Sequence, residues 1–90
     1  MGDHQLWFRV HAIARIHERW IFETDVRDVL ENGQIIEEEH DVKLRLGFPG
    51  GRPIHVAAVD VTDPPGSVII TVYQPDPAQW NPGFRTRGLR

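Results

Sequence analysis

Apolar residues recur over the first twenty positions with the period of a helix. Between about residues 5 and 19 the run takes in Leu6, Val10, Ile13, Ala14 and His17, with Trp20 just beyond it. At about 100° per residue these share one arc of a helical wheel, the pattern of a face turned to a core. His11, Arg15 and Arg19 fall on a separate arc, at roughly 0°, 40° and 80° from one another, and form a polar, cationic stripe. Val26, Val29 and Leu30 repeat the helical spacing and predict a second, shorter helix near residues 24–32. Thr24 is placed to cap it, Asp25 and Asp28 suit the positive end of its dipole, and Asn32-Gly33 ends it.

After Gly33 the period changes from helical to alternating. Strands are expected near 34–38, 42–48, 52–61 and 67–74. Leu44, Leu46 and Phe48 alternate with Lys43 and Arg45, the signature of a half-buried strand. Pro49-Gly50-Gly51 and Asp63-Pro64-Pro65-Gly66 read as turns, and Ser67 to Tyr73 is the most β-branched stretch of the chain. Helices followed by a run of strands indicate an α+β fold. Two N-terminal helices should pack on one face of a four-stranded antiparallel meander in chain order, making one domain over residues 1–74. The expected core is Leu6, Val10, Ile13, Val26, Val29, Leu30, Leu44, Leu46, Val56 and Val72. Residues 75–90, with Pro75, Pro77, Pro82 and Gly83, read as an extended tail that either wanders or docks through Trp80 and Phe84.

Composition narrows the chemistry. The absence of cysteine excludes disulfides, thiolate nucleophiles and cysteine zinc sites. No apolar run reaches membrane-span length and no signal-peptide layout opens the chain, so a cytoplasmic protein with no membrane partner is expected. The net charge of −3 is unevenly spread. Residues 1–42 hold ten acids and four bases, residues 43–90 three acids and six bases, with Arg85, Arg87 and Arg90 among the last six residues. A local basic surface is compatible with that acidic sum. The run Glu37-Glu38-Glu39-His40-Asp41 reads as a solvated turn, and the five histidines form no zinc pattern. There is no phosphate-binding glycine loop and no nucleophile elbow.

Four segments together resemble a known family. They are His11-Ala12 with Arg15, Glu18, Arg19 and Ile21; Asp25-Val26 with Val29-Leu30, Gly33 and Ile35-Ile36; Gly51-Arg52-Pro53 with His55-Val56; and Ile69-Ile70-Thr71-Val72-Tyr73. In this order, over roughly residues 8 to 74, they resemble the family of the domain of unknown function 4258. That family looks like a distant member of the barnase–colicin–RelE superfamily of small ribonuclease toxins. The resemblance implies helices layered on an antiparallel sheet, RNA as substrate, metal-independent cleavage and no cofactor. It also implies a cognate antitoxin or immunity protein as partner. His11, Arg15 and Arg19 match the family's first-helix motif, Arg52 its third-strand arginine, and Thr71 and Tyr73 its last-strand motif.

Metal-free RNA cleavage needs a base for the 2′-hydroxyl proton, an acid for the leaving oxygen and cations on the phosphorane. Histidine suits the proton transfers, and the planar guanidinium suits the phosphate. His11 and Arg15, one helical turn apart, would face one reacting group, with Arg19, Arg52, Thr71 and Tyr73 completing the catalytic set. His55 and Arg45 are expected to contact substrate. Convergence requires the helix stripe and the strand residues to meet on one side of the sheet. Two alternatives stand beside the ribonuclease: a catalytically silent RNA- or protein-binding module of the same fold, and a non-enzymatic interaction protein.

Overall fold

The computed structural model describes residues 4–88. In chain order the elements are β1 (Gln5–Phe8), α1 (Val10–Arg19), α2 (Glu23–Asn32), β2 (Gln34–Glu39), β3 (Val42–Gly47), β4 (Ile54–Thr62) and β5 (Pro65–Tyr73), with a 3₁₀ turn over Pro49–Gly51 between β3 and β4. They form one mixed sheet ordered β1-β5-β4-β3-β2. The meander from β2 to β5 is antiparallel throughout, as the hairpin-length connections require.

The first strand corrects the expected fold. Gln5–Phe8 is not the first turn of the helix but a strand paired parallel to β5, so the sheet has five strands rather than four. Four residues cannot distinguish a helical period from an alternating one. Here alternation holds, with Leu6 and Phe8 packed against the core and Gln5 and Trp7 exposed. Gly66 lets β1 come close, because a Cβ there would collide with the Trp7 ring and the Gln5 carbonyl.

That strand also resets the phase of α1. The helix begins at Val10 and turns Ala12 and Ile16 to the core, against β5, where a small residue permits close approach. Val10 and Ile13, expected inside, are 84% and 45% exposed. α2 matches its period and buries Val26 and Val29. Its N-terminus is closed by the Asp25 carboxylate, which accepts the Phe22 N–H at 2.9 Å, rather than by Thr24.

The core lies between the helices and the sheet, with Ile54, Val56 and Ala58 from β4 and Ile69 and Val72 from β5. Ala58 pairs with Ile69 and Ala57 with Thr71, leaving Ile70 as an extra residue in β5. This bulge puts Ile69 and Val72 on the same face although they are three apart. Leu44 and Leu46 are buried as expected, but opposite Ala57 and His55, on the face away from the helices. The tail docks on that second face. Trp80 is only 5% exposed and bridges to Arg87, with Gly88 N donating to the Gln79 carbonyl at 2.8 Å.

Candidate functional site

Strand β1 ends where Arg9 N donates to the Ile69 carbonyl, so beyond that point α1, not a strand, runs beside β5. The bulge at Ile70 and the exit of β5 follow. Around this opening lies a cleft of about 520 Å³. Arg15 and Arg19 line it from α1, Thr71 and Tyr73 from the end of β5, Gln74 just beyond that strand, and Asp76, Gln79, Trp80 and Arg87 from the tail. Two residues of the helix stripe, Arg15 and Arg19, therefore meet the last-strand motif at this opening beyond the end of β1.

His55 forms the buried floor behind Tyr73. Register places the two opposite each other, and the ring is fully buried. Its Nε2 lies 2.9 Å from the Phe84 carbonyl and its Nδ1 3.2 Å from the Tyr73 hydroxyl. A carbonyl only accepts, so Nε2 carries the hydrogen and Nδ1 accepts the phenolic O–H in the neutral ring. Burial lowers the His55 pKa below 6.5, against the Phe84 carbonyl and Glu37, which favour the cation, and together with Arg87, which opposes it. Burial also raises the Tyr73 pKa; Arg87 pulls it down and Glu37 pushes it up. The edges and faces of Tyr73 and Trp80 hold the imidazole, at centroid distances of 5.2 and 4.4 Å.

The three arginines of the cleft are differently restrained. Arg87 grips Glu37 through two N–H donors, both at 3.1 Å, and its guanidinium lies 4.7 Å over the Trp80 ring. The hydrogen bonds that Arg87 donates to Glu37 raise the Arg87 pKa further. Arg15 lies 3.8 Å from Glu18, a weak i,i+3 pair. The Arg19 guanidinium makes no hydrogen bond or ion pair within the described residues. Two cationic side chains are thus available to an anion, and the third is held by a carboxylate.

The remaining candidates are elsewhere. His11 is exposed on α1 and does not line the cleft. Arg52 is occupied below the helix, donating to the Arg19 and Trp20 carbonyls at 3.3 and 2.5 Å and lying 3.5 Å from Asp25. Arg45 lies opposite Val56 on the helix side of the sheet, 3.0 Å from Asp60. Ser67 donates to the same carboxylate at 2.8 Å. Burial works to raise the Asp60 pKa, but these hydrogen bonds and the charges of Arg45 and Lys43 outweigh it, and the net shift is downward. His55, expected to contact substrate directly, stands one side chain behind it.

Sequence reasoning offered docking of the tail through Trp80 and Phe84, and both do meet the His55 ring, but it missed that Trp80 and Arg87 would wall the cleft. Their signals were the basic C-terminus and a lone tryptophan in a proline-rich segment, neither of which specifies a docking partner. Among the described residues no three His, Asp or Glu side chains come together in a group that could hold a metal ion, and no helix is long and apolar enough to cross a membrane.

A family model described as "Domain of unknown function (DUF4258)" matches residues 8–74. No curated protein and no solved structure matches the chain. The matched segment supplies Arg15, Arg19, Thr71 and Tyr73 to the cleft, and the tail beyond it supplies Asp76, Gln79, Trp80 and Arg87.

Proposed function

The chain belongs to the DUF4258 family, and on that premise we propose that it is a metal-independent endoribonuclease-like protein acting on RNA. One observation carries the reading: Arg15, Arg19 and Arg87 surround Tyr73, whose hydroxyl is backed by the buried imidazole of His55. Guanidinium groups placed around a phosphate stabilise the charge that builds on its oxygens as phosphorus becomes five-coordinate. Tyr73 is the proton-transfer group that touches substrate. Its oxygen takes the 2′-hydroxyl proton while its own proton passes to His55 Nδ1, whose cation the Phe84 carbonyl stabilises. The 2′-oxygen attacks phosphorus, the bond to the 5′-oxygen breaks, and that oxygen leaves with a proton from water. His55 then returns its proton to solvent through Tyr73, and the products are a 2′,3′-cyclic phosphate and a 5′-hydroxyl. In this reading His55 positions and relays, and His11 and Arg52 are outside the chemistry.

A catalytically silent RNA-binding module has one observation in its favour. The Tyr73 hydroxyl is directed inward and burial holds its proton on, which suits a structural phenol as well as a base. The test is purified protein incubated with RNA in excess EDTA, wild type beside Tyr73→Phe and Arg15→Ala. Cleavage by the wild type should fall about 10²- to 10⁴-fold in Tyr73→Phe, the range for loss of an acid–base group. RNA retention without cleavage would favour the silent module. Cleavage equal in all three proteins would reject the assignment.

A further inference from the structure

We propose that the outward face of α1 is a self-association surface, on which a second copy of this chain packs antiparallel about a two-fold axis. The sequence supplies an amphipathic stripe, but the fold turns it away from its own core. Val10, Ile13, Trp20 and Phe22 are 84%, 45%, 77% and 60% exposed, with exposed Ala14 and His17 between them. Together they present on the order of 500 Å² of apolar surface, at the upper end of the largest patch found on monomers. Trp20 adds a second sign. It takes the left-handed conformation that ends α1, φ 55° and ψ 43°, a position usually given to glycine. A large aromatic exposed at that position forgoes burial that a covering surface would restore.

The geometry of the helix selects a second copy as the occupant. A two-fold axis near Ala14 sets Val10 of each chain opposite the segment from His17 to Trp20 of the other. That segment borders a hollow of about 370 Å³ lined by Ile16, His17, Trp20, Ile21, Phe22 and Glu23. Each copy thus carries a projecting Val10 and a hollow to receive it, with Ala14 small enough for the helices to approach. Charges complement in the same arrangement. His11 and Glu18 flank the stripe on one side, at roughly 100° and 80° from Val10 on the wheel, and reversal brings each His11 beside the partner's Glu18. Arg15 and Arg19 point away from this face, so both clefts stay open. With its polar flanks such an interface buries about 1,200 Å² in total, the lower limit for specific association.

The test is sedimentation of the full chain from about micromolar to millimolar concentration, spanning the range such an area supports. The wild type should pass from monomer to dimer, and Ile13→Lys should weaken dimerisation at least tenfold with an unchanged circular-dichroism spectrum. Glu18→Lys and His11→Glu should each weaken it several-fold, and the double variant should restore it, since every chain contributes both halves of the pair. A monomer at all concentrations would overturn the proposal. So would a dimer indifferent to Ile13→Lys, or a charge-swapped double variant no better than the single ones.

Discussion

His55 exchanges water at both ring nitrogens for the Tyr73 hydroxyl and the Phe84 carbonyl, and the neutral ring satisfies both partners. Its lowered pKa makes this a stability statement. Below the ordinary value of 6.5 the unfolded chain takes up a proton that the folded ring still refuses, so acid favours unfolding. The contribution is complete above 6.5 and is lost as pH falls from there through the lowered value. Urea midpoints should therefore be level at neutral and mildly alkaline pH and decline on entering the mildly acidic range, with that part of the slope missing in His55→Gln. An unchanged slope in the variant would show that another group causes it. Asp60 acts in a lower window, its contribution lost only as pH falls below 3.8 through its lowered value. Much of this was legible residue by residue. Alternation put Thr71 and Tyr73 on one face of their strand, and the register sets His55 opposite Tyr73 on that same sheet face. What alternation could not give was the acceptor at Nε2, because Phe84 lies 29 residues away in a segment without periodicity.

Among the elements, α1 departs most from its sequence pattern. A hydrophobic stripe says which residues share a face, not what that face meets, and the small Ala12 rather than the larger Ile13 was the contact. The β-hairpin series was legible because each strand carries its own turn signal, whereas β1 needs the distant edge of β5 to exist at all. Arg52 shows a motif residue with a job in the scaffold. It binds the Arg19 and Trp20 carbonyls at the end of α1 and so fixes the turn from which the Arg19 side chain departs. Arg52→Ala should lower stability by about 1.5–3 kcal/mol, the range for hydrogen bonds made by a charged group, measured by urea unfolding. Its effect on cleavage should be less than that of Arg15→Ala. Loss of all activity in a protein that remains folded would instead put Arg52 in the chemistry.

At the scale of the molecule, the sheet is covered twice, by helices on one face and by the tail on the other. The tail turns an open sheet face into a cleft, and its Arg87, clamped to Glu37 and stacked on Trp80, closes one wall. No local pattern forecasts this, since docking of an aperiodic segment depends on a cavity built by β3, β4 and β5. The central claim is that this cleft brings a tyrosine–imidazole pair and arginines to one phosphodiester, with the RNA's own 2′-hydroxyl as nucleophile. The most direct measurement uses an RNA oligonucleotide cut by the wild type in excess EDTA, compared with the same strand carrying a single 2′-deoxy nucleotide on the 5′ side of the cut bond. The account predicts 2′,3′-cyclic phosphate ends from the first and no cleavage at that bond in the second. Cleavage of the deoxy-substituted bond, or 3′-hydroxyl ends from the unmodified strand, would contradict it.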